Sequence, residues 1–266
     1  MTATPALGTA LITGASSGIG AVYADRLARR GHDLILVARN GQRLAALADR
    51  ISGATGRRVR TITADLADRE QLRRVEDVLR TESDITVLVN NAGVGATAPL
   101  LQSKVDDMDA MITLNVGALT RLTYAAAPAF AARGRGTIIN IASIVAVAPE
   151  MLNGVYGASK AYVLALTQSL VHELAAKGLR IQAVLPGAIA TEFWGLAGTP
   201  VEHLPASIVM TSDDLVDAAL AGLDAGEVFT VPSLPDVVDW NTFEQARRAL
   251  GPNLSKNKPA ARYGVA

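Results

Sequence analysis

Short runs rich in Val, Ile and Leu alternate along the chain with longer stretches in which apolar residues return every three or four positions. The short runs lack the polar alternation of a half-exposed strand and read as strands buried on both faces. The longer stretches read as helices with one apolar stripe. Strands are predicted at 10–13, 33–38, 59–63, 85–90, 136–142, 180–185 and 228–231, and helices at 18–30, 42–52, 69–81, 104–132, 155–177 and 213–225. Gly31 and Gly178 stand where helices should stop, because glycine accepts the left-handed conformation that closes a helix. This alternation is the signature of repeated βα units, so the expected fold is α/β: a doubly wound, seven-stranded parallel sheet with helices on both faces, in a single domain over 1–266. Residues 236–250 read as one more helix, anchored by Trp240 and Phe243. Residues 187–210 form the one long irregular stretch, a length typical of lids and binding loops, and 251–266 reads as a loosely ordered C-terminal tail.

Composition narrows the function. Half of the residues are apolar and 19% are charged, which suits a large packed core rather than a disordered chain. Basic and acidic residues balance at 25 each, so no net field favours nucleic acid or an anionic membrane as partner. The absence of cysteine removes disulfides, thiolate-bound zinc, iron-sulfur clusters and a cysteine nucleophile. His32, His172 and His203 have no metal-ligand spacing, so no metal is expected. Residues 1–8 carry no basic segment followed by an apolar one, and no later run is long enough to span a bilayer, which points to a cytoplasmic protein.

Two places carry candidate chemistry. The first predicted strand runs into Thr13-Gly14-Ala15-Ser16-Ser17-Gly18-Ile19-Gly20 and then directly into a helix. Glycines there permit a tight turn, and the helix N-terminus offers free N–H groups and a positive dipole end to an anion such as a pyrophosphate. A glycine-rich turn also occurs in purely structural connections. The end of the second strand, which lies beside the adenosine ribose in such folds, reads Arg39-Asn40. A planar cation there suits a 2'-phosphate, so NADP(H) is preferred over NAD(H), which stays possible; the plainer reading of Arg39 is a solvated loop charge.

The second place is Tyr156 with Lys160. A four-residue spacing at the start of a helix puts phenol and ammonium on one face, where the ammonium would lower the phenol pKa from about 10 toward neutrality. Ser143 ends the fifth strand, at the rim where parallel sheets bind ligands, and would donate to a substrate oxygen. Without that context the pair reads as a surface helix pair and the serine as a turn residue.

These motifs together, in this order over roughly 9–231, resemble the short-chain dehydrogenase/reductase family of Rossmann fold. The family's glycine turn matches Gly14, Ser16, Ser17, Gly18, Ile19 and Gly20, and its adenine-contacting acid matches Asp65, followed by Leu66. Its Asn-Asn-Ala-Gly motif is present as Asn90-Asn91-Ala92-Gly93, its mid-helix asparagine as Asn115, and its catalytic set as Ser143, Tyr156 and Lys160. Its Pro-Gly turn with a downstream threonine matches Pro186, Gly187 and Thr191. The resemblance implies hydride transfer between nicotinamide C4 and a carbonyl or alcohol carbon, with Tyr156 moving the proton and Ser143 holding the oxygen. It implies that Lys160 binds the nicotinamide ribose and tunes Tyr156, that Asn115 places a relay water, and that Ile189 and Thr191 face the carboxamide. One departure concerns the cofactor: many NADP(H)-using members carry a basic residue where this chain has Ser17. Phosphate recognition would then rest on Arg39, helped by Ser16, Asn40 or Arg43.

The loops after the fourth, fifth and sixth strands are apolar at Val94, Leu100, Leu101, Val145, Val147, Met151, Leu152, Phe193, Trp194 and Leu196. They suggest a pocket for a small apolar carbonyl or alcohol, with 187–210 as the substrate loop, although the same side chains would also suit packing on each other or a subunit contact. Alanine-rich faces at 120–132 and 161–176 match helices that form homodimers or homotetramers in the family. Two rival readings keep the fold: an NAD(P)-binding regulator without turnover, and a sheet-forming interaction protein without nucleotide.

Overall fold

The computed structural model describes residues 7–265, so most of the segment read as free of a leader, and the last tail residue, lie outside the described residues. Seven strands pair in parallel: β1 (Thr9–Thr13), β2 (Asp33–Ala38), β3 (Val59–Thr63), β4 (Ile85–Asn90), β5 (Gly136–Ile141), β6 (Leu179–Val184) and β9 (Phe229–Thr230), in the order β3-β2-β1-β4-β5-β6-β9. Successive strand residues point to opposite faces, and both faces are covered. Ile12, Leu34, Leu36, Val87 and Val89 meet α1 (Gly18–Arg29), α2 (Gly41–Thr55) and α8 (Ser212–Asp224) through Leu27, Leu44, Ile51 and Leu220. Leu11, Ile35, Val37, Leu88 and Ile138 meet the other layer, α3 (Arg69–Thr81), α5 (Leu119–Ala132) and α6 (Gly154–Leu174), through Leu72, Leu79, Leu122, Phe130 and Leu170. Burial on both faces is why β1, β2 and β4 lack polar alternation, whereas β3 at the sheet edge (VRTIT) alternates and is only partly covered.

The winding reverses between β1 and β4, its neighbour. At such a switch point the connections leave in opposite directions and open a crevice beyond the carboxyl ends of the strands. Beneath it, a buried polar chain ties sheet to helices. Asn90 Nδ2 donates to Asn140 Oδ1 at 2.9 Å and to Thr123 Oγ1 at 3.1 Å, and Asn140 Nδ2 donates to Thr167 Oγ1 at 3.0 Å.

The structure departs from the sequence reading in two places. The helix expected over 104–132 is broken into α4 (Val105–Ile112), a π-helical turn at Thr113–Ala118, and α5. Stretch 187–210, expected to be irregular, holds a short helix, α7 (Phe193–Ala197), and a second small sheet in which β7 (Ala188–Ile189) pairs in parallel with β8 (Val209–Met210). Of the described residues, 7–232 form one compact unit and 233–265 form another. In the latter, α9 (Val237–Ala249) is capped by Asp236, whose carboxylate accepts from Val238 N at 2.9 Å, and the Trp240 and Phe243 rings lie 5.4 Å apart. Within 251–265, which is exposed throughout, 3-10 turns form at Gly251–Asn253 and Ala261–Tyr263.

Candidate active site

The glycine turn lies at the switch point. Gly14 (φ 63°) and Gly18 (φ 53°) hold left-handed backbone that disfavours a side chain. A Cβ at Gly14 would stand 2.8 Å from Asn91 Nδ2 and 2.9 Å from Ala92 Cα, and one at Gly20 would run into the Gly14 carbonyl. Thr13 fastens the turn to the end of β4, its Oγ1 accepting from Asn91 N and Ala92 N, each at 3.0 Å. Asn91 Nδ2 donates to Thr13 O at 2.9 Å and to Gly14 O at 3.2 Å. The N-cap of α1, Ser17, makes no side-chain bond to the helix end, and the first turn holds no acid. The first N–H groups of α1 therefore lack a side-chain partner in a cradle that only glycine fits, an arrangement that suits the pyrophosphate of a dinucleotide.

Arg39, at the end of β2, is exposed, and its guanidinium makes no hydrogen bond or ion pair among the described residues. Asn40 caps α2, its Oδ1 accepting from Arg43 N at 3.0 Å. Arg43 is differently placed from Arg39, because its guanidinium donates to Glu192 Oε2 at 2.7 Å. Asp65 follows β3 and accepts from Ala67 N at 2.9 Å, while its own N–H donates to Gln71 Oε1 at 3.0 Å; Leu66 beside it is buried.

Tyr156 and Lys160 lie in the first turns of α6, which starts at the capping side chain of Asn153. Its Oδ1 accepts from Val155 N at 2.9 Å and Tyr156 N at 3.3 Å, while its Nδ2 donates to Ala98 O at 2.6 Å and Ser103 Oγ at 3.1 Å. Ser143, Tyr156 and Lys160 are exposed by only 7%, 6% and 7%. Ser143 Oγ donates to Pro186 O at 3.3 Å and accepts from Val145 N at 3.4 Å, and it stands near enough to the phenol to favour the ionised form. Lys160 Nζ donates to Ile141 O at 2.9 Å and stands 5.9 Å from the centre of the Tyr156 ring. A Cβ at Gly93 would lie 3.0 Å from Asn115 Oδ1 and 3.6 Å from Lys160 Nζ, so only a glycine leaves this floor open.

Asn115 sits in the π-helical turn, a form that recurs where function demands an altered helix. Its side chain is fully engaged, with Oδ1 accepting from Val94 N at 2.9 Å and Nδ2 donating to Val94 O at 2.9 Å and Ser159 Oγ at 3.1 Å. Ser159 donates onward to Tyr156 O at 2.8 Å. Asn115 therefore braces the helix that carries Tyr156.

Electrostatics differ from the expectation drawn from helical spacing. Burial pushes the Tyr156 phenol up to about 12, with the Ser143 hydroxyl pulling the other way, and burial pushes Lys160 down to about 8. The ammonium turns to a backbone carbonyl rather than to the phenol, so desolvation outweighs attraction between the two.

The stretch after β6 closes over this cleft. Its neck is the β7/β8 pairing, with Pro186 and Ile189 buried and Gly187 half-buried. Thr191 faces the turn, its Cγ2 3.0 Å from a Cβ built on Gly18. The Phe193 ring lies 5.8 Å from the Tyr156 ring and rests on Gly95, where any side chain would collide with it. Thr97 N donates to Ala197 O at 3.0 Å. Val94, Val145, Leu152 and Phe193 pack around Tyr156, while Leu100, Leu101, Met151 and Leu196 are exposed. Trp194, expected in the pocket wall, is buried and donates from its indole to Ile189 O at 3.0 Å.

The glycine turn, Asn91 to Gly93, Thr191 and the cluster of Ser143, Tyr156 and Lys160 thus come together at the carboxyl ends of the strands, while the Asn115 side chain is bonded to Val94 and Ser159 and Arg43 is bonded to Glu192. Sequence reasoning missed Thr13, Asn153 and Ser159 as positioning residues. Asn153 had a usable signal, an asparagine immediately before a helical run.

The model of the short chain dehydrogenase family matches residues 8–199. Among solved structures, a short-chain dehydrogenase from Sphingobium yanoikuyae in complex with NADPH is 48% identical, with a TM-score of 0.93 over 96% of this chain and 98% of that one. A bulky-bulky ketone specific alcohol dehydrogenase from Comamonas testosteroni is 44% identical, with a TM-score of 0.89 over 97% and 98% of the two chains. The very-long-chain 3-oxoacyl-CoA reductase of Anas platyrhynchos is 35% identical over 96% of this chain and 85% of that protein.

Removing the cap at Asn153 should loosen the helix that presents Tyr156. Asn153→Ala is expected to lower stability by about 1–2 kcal/mol in urea unfolding, from loss of the cap and its two donated bonds. An unfolding midpoint equal to that of the unaltered chain would contradict this role.

Proposed function

The chain belongs to the short-chain dehydrogenase/reductase family, and from that premise we propose that it is an NADP(H)-dependent oxidoreductase that interconverts an apolar ketone and its alcohol. The observation that carries this reading is the cluster of Ser143, Tyr156 and Lys160, buried together beside the glycine turn.

When bound, the nicotinamide supplies or accepts the hydride at the substrate carbon. In the reducing direction Tyr156 donates the proton. Its phenol, held at about 12, is fully protonated at neutral pH and still more acidic than the alcohol that forms, so transfer to the developing alkoxide runs downhill. Ser143 donates to the same oxygen and steadies its charge where water is excluded. Lys160 would hold the nicotinamide ribose, and its positive charge favours the phenolate left on Tyr156, which regains its proton from solvent.

The remaining assignments follow the same crevice. Gly14, Ser16, Ser17, Gly18, Ile19 and Gly20 cradle the pyrophosphate, Asp65 and Leu66 meet the adenine, and Asn91, Ala92 and Gly93 line the nicotinamide ribose. Pro186, Gly187, Ile189 and Thr191 border the carboxamide. NADP(H) over NAD(H) is supported by the free guanidinium of Arg39 with Asn40 beside it, and by the NADPH in the Sphingobium relative. An apolar ketone is supported by the side chains packed around Tyr156 and by the ketone specificity of the Comamonas relative, with 187–210 acting as substrate loop. A homodimer or homotetramer through α5 and α6 accounts for the exposed Tyr124 and Tyr162.

A panel of aliphatic and aryl ketones, assayed with NADPH and NADH by loss of reduced-nicotinamide absorbance, tests the reading; turnover with NADPH is expected. Consumption of neither cofactor, with binding retained, would favour the regulator without turnover. Tyr156→Phe is expected to keep NADPH affinity and lose turnover by about a hundredfold or more, and unchanged turnover would remove Tyr156 from the chemistry. Reduction should also fall as pH rises through about 8, because Lys160 loses its charge there while Tyr156 stays protonated. A rate flat from neutrality to two units above that point would contradict the role given to Lys160.

A further inference from the structure

Arg39 and Arg43 stand four residues apart at the end of β2 and the start of α2, where the adenosine ribose lies in this fold. They are not equivalent. Arg39 has no hydrogen-bond or ion-pair partner among the described residues, whereas Arg43 spends its guanidinium on Glu192, a residue 149 positions away in sequence. Glu192 lies between Thr191, which faces the pyrophosphate turn at Gly18, and Phe193, which covers Tyr156. The Arg43–Glu192 pair, with both side chains at least half exposed, therefore closes a bridge from the phosphate-reading helix to the substrate loop across the outer edge of the crevice.

We infer that Glu192 is a determinant of cofactor discrimination, competing with the 2'-phosphate of NADP(H) for the guanidinium of Arg43; the inference rests on the cofactor site proposed above. A phosphate dianion arriving beside Arg39 meets a second guanidinium already bonded to a carboxylate. It repels that carboxylate and offers Arg43 a more highly charged acceptor with several oxygens. The existing pair is exposed to water and salt, so it is weakly held and exchanges partner readily. NAD(H) presents a neutral hydroxyl at the same place and leaves the pair intact. Glu192 thus lowers the advantage of NADP(H) without touching the affinity for NAD(H). Thr191 against Gly18 and Thr97 N to Ala197 O keep the loop seated when Arg43 changes partner.

Calorimetric titration of NADPH and NADH into the unaltered chain, Glu192→Gln, Arg43→Gln and the double variant tests this. Glu192→Gln is expected to tighten NADPH binding by about three- to tenfold and to leave NADH within about twofold, and the gain should vanish in the Arg43→Gln background. Unchanged or weaker NADPH binding, equal tightening of both cofactors, or a gain that survives without Arg43 would each overturn the inference while leaving the functional reading in place. Binding of neither nucleotide by the unaltered chain would take down both.

Discussion

A phenol and an ammonium buried together at the carboxyl rim of a parallel sheet form the constraint around which this chain is arranged. Neither group is stable there in its charged form without help, because burial pushes the Tyr156 phenol up and the Lys160 ammonium down. The surroundings offset this effect of burial piece by piece. Ile141 O receives the ammonium, Ser143 meets the phenol, Asn153 fixes the start of the helix, and Gly93 keeps space open between Asn115 and Lys160. A rigid double-sided core is what holds such a site in place, because side chains locked by packing keep the geometry that reactive groups need.

The same rim joins the remaining parts. Reversal of winding at β1 and β4 creates the crevice, Thr13 and Asn91 stitch the glycine turn to the fourth strand, and the sixth strand sends its loop back over both. The Tyr156 phenol, the glycine turn and the apolar cover thus come from three separate βα connections that meet only because the strands run parallel.

Much of this was legible in the sequence. Strands without polar alternation announced a sheet buried on both faces, and the positions of Gly14, Tyr156 and Lys160 within the βα rhythm put them at one edge. Other features were not legible for physical reasons. The π-helical turn at Asn115 preserves the apolar rhythm of an ordinary helix, so periodicity ran straight through it. Pairing of two-residue strands such as β7 and β8 depends on partners, not on local propensity. The direction of the Tyr156 shift depends on burial, which helical spacing does not encode, and the Arg43–Glu192 bridge depends on how a distant loop folds back.

The central claim is that hydride and proton reach one substrate carbonyl inside this crevice, and isotope transfer tests it most directly. With NADPH deuterated at the transferring C4 position and an apolar ketone in ordinary water, the alcohol formed should carry deuterium on its carbinol carbon, with none lost to solvent. Alcohol formed without deuterium from either face of the labelled nicotinamide would contradict the account.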